Sequence, residues 1–155
     1  MKEILSVGFT WLHLLATVVW LGGMAFILSV ALPAARKAVG EDAGKVMGEV
    51  TRRFTPLANG SILLLLLSGL ALLATTVGFS EVGLRSGRNT AMGFKLLLFL
   101  LMAAVHFYRG KVLAPRIART PPEQGKANIQ KLSLNLVKVN LVAGLAVLLL
   151  SAVAG

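Results

Sequence analysis

The chain contains no cysteine among its 155 residues, which excludes a disulfide, a thiolate metal site and covalent haem attachment through a Cys-x-x-Cys-His segment. Acidic side chains are scarce as well: six Asp and Glu stand against sixteen Lys and Arg, for a formal charge of +10. No Gly-rich phosphate loop and no His-Glu-x-x-His run occurs, so the familiar motifs of soluble nucleotide enzymes and metalloproteases are absent. Any site must be assembled from the few polar residues within or at the ends of apolar stretches.

Those stretches dominate the chain. They run roughly from Ile4 to Leu32, Leu57 to Val77, Ala91 to Tyr108 and Leu134 to Val153. A helix of about 20 apolar residues crosses the roughly 30 Å hydrocarbon core of a bilayer. The composition agrees, with 56% apolar residues, 14% charged residues and a mean hydropathy of +0.80, more apolar side chain than a soluble chain of this length can bury. The first stretch lacks an early small-residue cleavage site, and its length exceeds the roughly 7–15 apolar residues of a signal-peptide core, so it reads as a spanning helix. The expected fold is all-α: an integral membrane four-helix bundle with antiparallel neighbours, residues 1–155 forming a single transmembrane domain with helices at about 4–32, 57–77, 91–108 and 134–153.

The positive charges are unevenly placed. Arg36, Lys37, Lys45, Arg52 and Arg53 lie between the first two stretches, and Arg109, Lys111, Arg116, Arg119, Lys126 and Lys131 between the last two, with Lys138 just inside the fourth. The other side has only Lys2, Arg85 and Arg88. Short basic loops stay in the cytoplasm, so the expected location is the inner membrane, multi-pass, with both termini and the 78–89 loop extracytoplasmic. The basic face suits anionic headgroups of the lipid bilayer and needs no nucleic acid to account for it. Pro33 is expected to follow the first helix, Ala34 to Arg53 to form a short amphipathic helix on the inner surface, and Pro115 and the Pro121-Pro122 pair to stop a helix.

A weak internal echo runs through the chain. LPAARK at 32–37 and APRIAR at 114–119 each follow a histidine-bearing stretch, and the two returning stretches carry Asn59 with Gly69 and Asn140 with Gly144. A duplicated hairpin and the shared rules for cytoplasmic helix ends are both open explanations.

Ionisable residues inside apolar helices are costly and usually tied to a partner or a function. Here they are His13, Lys95 and His106. Helical rise places His13 about 8 Å and Lys95 about 7 Å outside the midplane, and His106 about 10 Å inside it. Lys95 and His106 are nearly three helical turns apart and point the same way, with Met102 between them; His13, Trp20 and Met24 form a similar stripe beside Gly22 and Gly23. Bland readings stand beside these. His13 can hydrogen-bond to a carbonyl or water, Lys95 can snorkel, His106 opens the interfacial anchor His106-Phe107-Tyr108-Arg109, and Trp11, Trp20 and Met24 can simply pack.

WLHLLATVVWLGG at 11–23, RRFTPLANGSILLLLLSGLALL at 52–73 and KLLLFLLMAAVHFYRG at 95–110 resemble the signature regions of HemJ-type protoporphyrinogen oxidases and of CopD-type copper-resistance membrane domains. The HemJ resemblance implies a b-type haem oxidoreductase acting on protoporphyrinogen IX, with His13 and Lys95 as its essential residues and His106 as the later histidine. This chain departs from that pattern, since MAFILSVALPAARK replaces an early Pro-Arg pair after Gly23; around Arg53-Phe54 and Pro115 it is closer to CopD. On the haem reading His13 and Lys95 form the catalytic pair, and electrons pass to a quinone in the bilayer. His13, Trp20, Gly23, Lys95, Met102, His106, Arg53 and Arg109 would line cofactor or porphyrin, with His13 and His106 as metal ligands. A depth difference of about 18 Å disfavours one haem clasped by both histidines. His13 is then the primary ligand, and His106 belongs to an inner site with Arg53 and Arg109 or to a second haem. The CopD resemblance implies copper handling instead; copper needs closely spaced soft or imidazole ligands, and with only Met24, Met92, Met102, His13 and His106 within the helices and no Met-x-x-Met or His-rich segment outside, the residues support it less well than haem. A cofactor-free accessory subunit is the third reading, and a homo-oligomer is open to all three.

Overall fold

A computed structural model describes residues 2–76, 87–121 and 124–153, and every regular element among them is helical. Val77, Arg85, Pro122 and most of the expected 78–89 loop lie outside the described residues. The helices are α1 (Lys2–Thr17), α2 (Gly23–Phe26), α3 (Leu32–Val39), α4 (Ala43–Thr76), α5 (Gly87–Tyr108), α6 (Ala114–Arg119) and α7 (Lys126–Val153). Three π-helical segments, Val18–Gly22, Ile27–Ala31 and Arg109–Leu113, join helices without breaking the run.

Three helical runs are long and apolar enough to cross a membrane: Glu3–Ala74, Met92–Arg119 and Lys126–Val153. The first of them is folded in two. At Gly40 the backbone takes φ +53° and ψ −116°, a combination open in practice only to glycine, and after one 3-10 turn at Gly40–Asp42 α4 runs back against α1. The chain divides into two compact units, Met1–Leu84 and Arg85–Gly155. The first is the hairpin of α1–α3 against α4; the second pairs α5 and α6 with α7.

Burial in both units is inverted relative to a water-soluble protein. Leu5, Leu14, Val18, Leu63, Leu67, Leu97, Leu101, Val142 and Leu149 are exposed, whereas Ala16, Ala58, Ser61, Ser68, Asn140 and Gly144 are buried. In lipid, large apolar side chains gain nothing by leaving the surface. Small residues let backbones approach, and polar ones bond across the interface.

The helices extend beyond the apolar stretches. α4 starts at Ala43 rather than near Leu57, α7 at Lys126 rather than near Leu134, and the third run continues from Gly87 to Arg119. Hydropathy marks only the part that suits hydrocarbon, while backbone hydrogen bonds and good helix formers such as Lys and Arg carry a helix on past it. The segment Ala34 to Arg53 is accordingly not a separate amphipathic helix; it comprises the ends of two long arms and the turn between them.

Pro33 and Pro115 also behave differently from expectation. Each sits at the first turn of a helix, α3 or α6, that continues an existing run. The residue before each proline, Leu32 or Ala114, donates its N–H five residues back, to the carbonyl of Ile27 or Arg109. A π turn re-registers the ladder just where proline withdraws a donor, so the helix passes through. Pro121 does end its run: Thr120 before it is extended at ψ 123°, as a pre-proline residue prefers.

The shift that carries Pro33 onto Pro115 also carries Ile27–Ala31 onto Arg109–Leu113. It superposes buried Trp20 on buried Met102, Ala58 on Asn140 and Ile62 on Gly144, and aligns His13 with Lys95 and Met24 with His106. The two hairpins therefore share one π turn and proline and a few of their buried positions.

Candidate functional site

In the first hairpin, α1 presents His13 half-buried toward α4. Its Nδ1 lies 2.8 Å from Ser68 Oγ. Ser68 is only 2% exposed, and its hydroxyl lies 2.6 Å from the Leu64 carbonyl one turn back on α4. Gly69 follows it, and a Cβ there would lie 3.5 Å from His13 Cε1, ordinary contact distance. Sequence reasoning used Gly69 only for the repeat and missed Ser68. Its signal was a lone hydroxyl within LLLLLSGLALL, where an unbonded polar group is costly.

Further along the same arm, Trp20 is 1% exposed and Met24 4%, so the stripe expected from their spacing is the face turned into the protein. The slot anticipated at Gly23 exists and is filled from within: the Phe54 ring occupies the space a Cβ on Gly23 would need. Beside it, Phe26, Ile27, Val50, Phe54 and Leu57 line an apolar groove of about 300 Å³ with Arg53 at its edge. Arg53 is exposed and donates from Nε to Glu49 Oε1 at 2.7 Å, a carboxylate it shares with Arg52 at 2.9 Å. An internal carboxylate thus engages the guanidinium that the haem reading sets against cofactor or porphyrin.

In the second hairpin, Lys95 and His106 are half-buried on α5, and Met102 between them is 4% exposed. The Met102 carbonyl accepts a hydrogen bond from Asn140 Nδ2 on α7 at 3.1 Å. Asn140 is itself 4% exposed, so this buried amide ties the two arms. The His106 ring stands edge-on to Phe107, with centroids 5.5 Å apart. Arg109, half-buried in the π segment, donates from Nε to the Ser133 carbonyl at 3.0 Å and to Ser133 Oγ at 3.2 Å.

Each hairpin therefore carries one imidazole and one buried thioether, His13 and Met24 eleven residues apart on the first and Met102 and His106 four apart on the second. Among the described residues no group of three or more His, Asp or Glu side chains gathers to hold a metal ion. As donor types, imidazole and thioether are ones that copper takes, whereas hard octahedral ions prefer oxygen ligands.

Comparison with known proteins agrees with one half of the sequence resemblance. The family model for copper resistance protein D, CopD, matches residues 48–154. No curated protein and no solved structure matches the chain. The matched span takes in Arg53, Ser68, Lys95, Met102, His106, Arg109 and Asn140, and begins after His13, Trp20, Gly23 and Met24. With well over half of its length matched, the chain belongs to the copper resistance protein D family.

Proposed function

We propose that this is a multi-pass inner-membrane protein that handles copper as its cargo. The observation that carries the reading is the family match over residues 48–154. The donor inventory supports it. The apolar stretches carry two imidazoles, His13 and His106, and three thioethers, Met24, Met92 and Met102, and Cu(I) takes both kinds of donor. A cargo ion must be bound firmly enough to enter and loosely enough to leave. One imidazole and one buried thioether per hairpin suit transit better than a closed cage of four ligands would. With the Glu3–Ala74 run doubled back at Gly40, the chain would cross the bilayer four times as one transmembrane domain with both termini outside.

Proteoliposomes loaded with a Cu(I)-responsive dye test this directly. Copper entry above that of empty vesicles is expected for the wild type, with a marked loss in His13→Ala and in His106→Ala. Entry no faster than in protein-free vesicles would sink the copper reading.

Haem b is the second reading, and one feature favours it: His13, a half-buried imidazole oriented by Ser68, is the ordinary kind of axial ligand for a cysteine-free bundle. On that reading Lys95 would serve the same chemistry toward a porphyrinogen. A Soret band after haem-replete expression, and rescue of a strain lacking protoporphyrinogen oxidase that Lys95→Ala abolishes, would replace copper with haem.

A further inference from the structure

We infer that Ser68 is a positioning residue for His13: its hydroxyl holds the imidazole in the neutral Nδ1–H tautomer and leaves Nε2 as the donor atom. The argument is a count of protons. A serine hydroxyl has one. Ser68 Oγ and the Leu64 carbonyl oxygen are 2.6 Å apart, a separation two oxygens reach only with a proton between them. A carbonyl has none to give, so the Ser68 proton is committed to Leu64.

Besides a longer approach of 3.4 Å to the Leu65 carbonyl, likewise an acceptor, the hydroxyl meets His13 Nδ1 at 2.8 Å. With its proton spent, Oγ has only lone pairs to offer, and the hydrogen in that bond must come from the ring. Nδ1 is therefore protonated. Protonating Nε2 as well would place an unpaired imidazolium on a membrane arm, a costly arrangement, and no acidic side chain bonds to His13 among the described residues. The ring is thus neutral, with its free lone pair on Nε2.

Ser68 can hold this arrangement because it is buried at 2% exposure, so water does not compete for its hydroxyl, and because its own helix fixes the rotamer through Leu64. The neighbouring Gly69 leaves the ring edge free of a side chain. The pair joins the family-matched arm, which contains Ser68, to the arm before it, which contains His13. An imidazole whose other nitrogen donates to a fixed acceptor is the arrangement that orients a metal ligand and raises its basicity. That the cation accepted by Nε2 is Cu(I) rests on the proposed function; the tautomer does not.

Long-range proton–nitrogen correlation NMR of the metal-free protein in micelles, with 15N-labelled histidine and His106→Gln to assign the two rings, reads the tautomer directly. The expected spectrum for His13 has a protonated, pyrrole-type Nδ1 and a bare, pyridine-type Nε2. A pyridine-type Nδ1 in the wild type overturns the proposal without any variant being needed. Ser68→Ala should lose the single tautomer, while Ser68→Thr, which keeps a hydroxyl, should retain it; an unchanged spectrum in Ser68→Ala also overturns the assignment. Titration with Cu(I) then separates the two readings. A selective shift of Nε2, with affinity weakened about 10- to 100-fold in Ser68→Ala, supports both. An Nδ1–H tautomer that Cu(I) leaves untouched upholds the role of Ser68 and removes His13 from copper handling.

Discussion

At the scale of single residues, close packing and polar bonding divide the work that composition alone would assign to a cofactor. The haem reading sets Gly23 against a cofactor, and the flat group that lies there is the Phe54 ring. Gly23→Ala should destabilise the first hairpin by about 1–3 kcal/mol, the usual cost of forcing atoms into a filled contact. In a Phe54→Ala background the same change should cost much less, since the ring is the obstacle. A double-mutant cycle on reversible unfolding in mixed micelles measures the coupling; additive effects would show that Phe54 is not what Gly23 accommodates. Asn140 makes the complementary point. A buried amide in an apolar arm is explained by the Met102 carbonyl it binds, and needs no ligand.

At the scale of elements, two kinds of punctuation decide where helices stop. Proline alone does not, as Pro33 and Pro115 show: each is preceded by a π turn that supplies a five-residue-back acceptor, and the run goes on. Pro121, preceded by extended Thr120, does stop one. Nothing in the composition around these residues separates the cases, because the difference lies in the backbone ladder before each proline. Reversal of the first run depends on Gly40 and its φ of +53°. Gly40→Ala should cost about 1–3 kcal/mol as a strained non-glycine conformation, with faster amide exchange at Val39–Ala43. Unchanged exchange and stability would mean that the turn relaxes without the positive φ.

For the molecule as a whole, charge placement makes a testable statement about orientation. The basic residues of α3 and of the N-terminal part of α4, Arg36, Lys37, Lys45, Arg52 and Arg53, and those around α6 face the cytoplasm if short basic segments stay inside. The absence of native cysteine makes the test clean. Arg85→Cys should react with a membrane-impermeant thiol reagent from the outside of intact cells, and Thr120→Cys only after permeabilisation. Equal labelling of both would refute the orientation. The exposed Lys45–Asp42 and Arg53–Glu49 pairs on the basic segment are worth little to stability.

The class of the protein, the approximate position of each apolar stretch and the rarity of His13, Lys95 and His106 were all legible along the chain. These are local properties: the cost of placing a residue in hydrocarbon sums along a segment and needs no knowledge of its neighbours in space. The partnership of His13 with Ser68, the filling of Gly23 by Phe54, the amide tie from Asn140 and the helical continuation through Pro33 and Pro115 were not. Each depends on the register of one arm against another, or on a backbone hydrogen bond moved by one residue. Many sequences with the same hydropathy profile are compatible with several such registers, and only packing of small and polar residues at close range selects one.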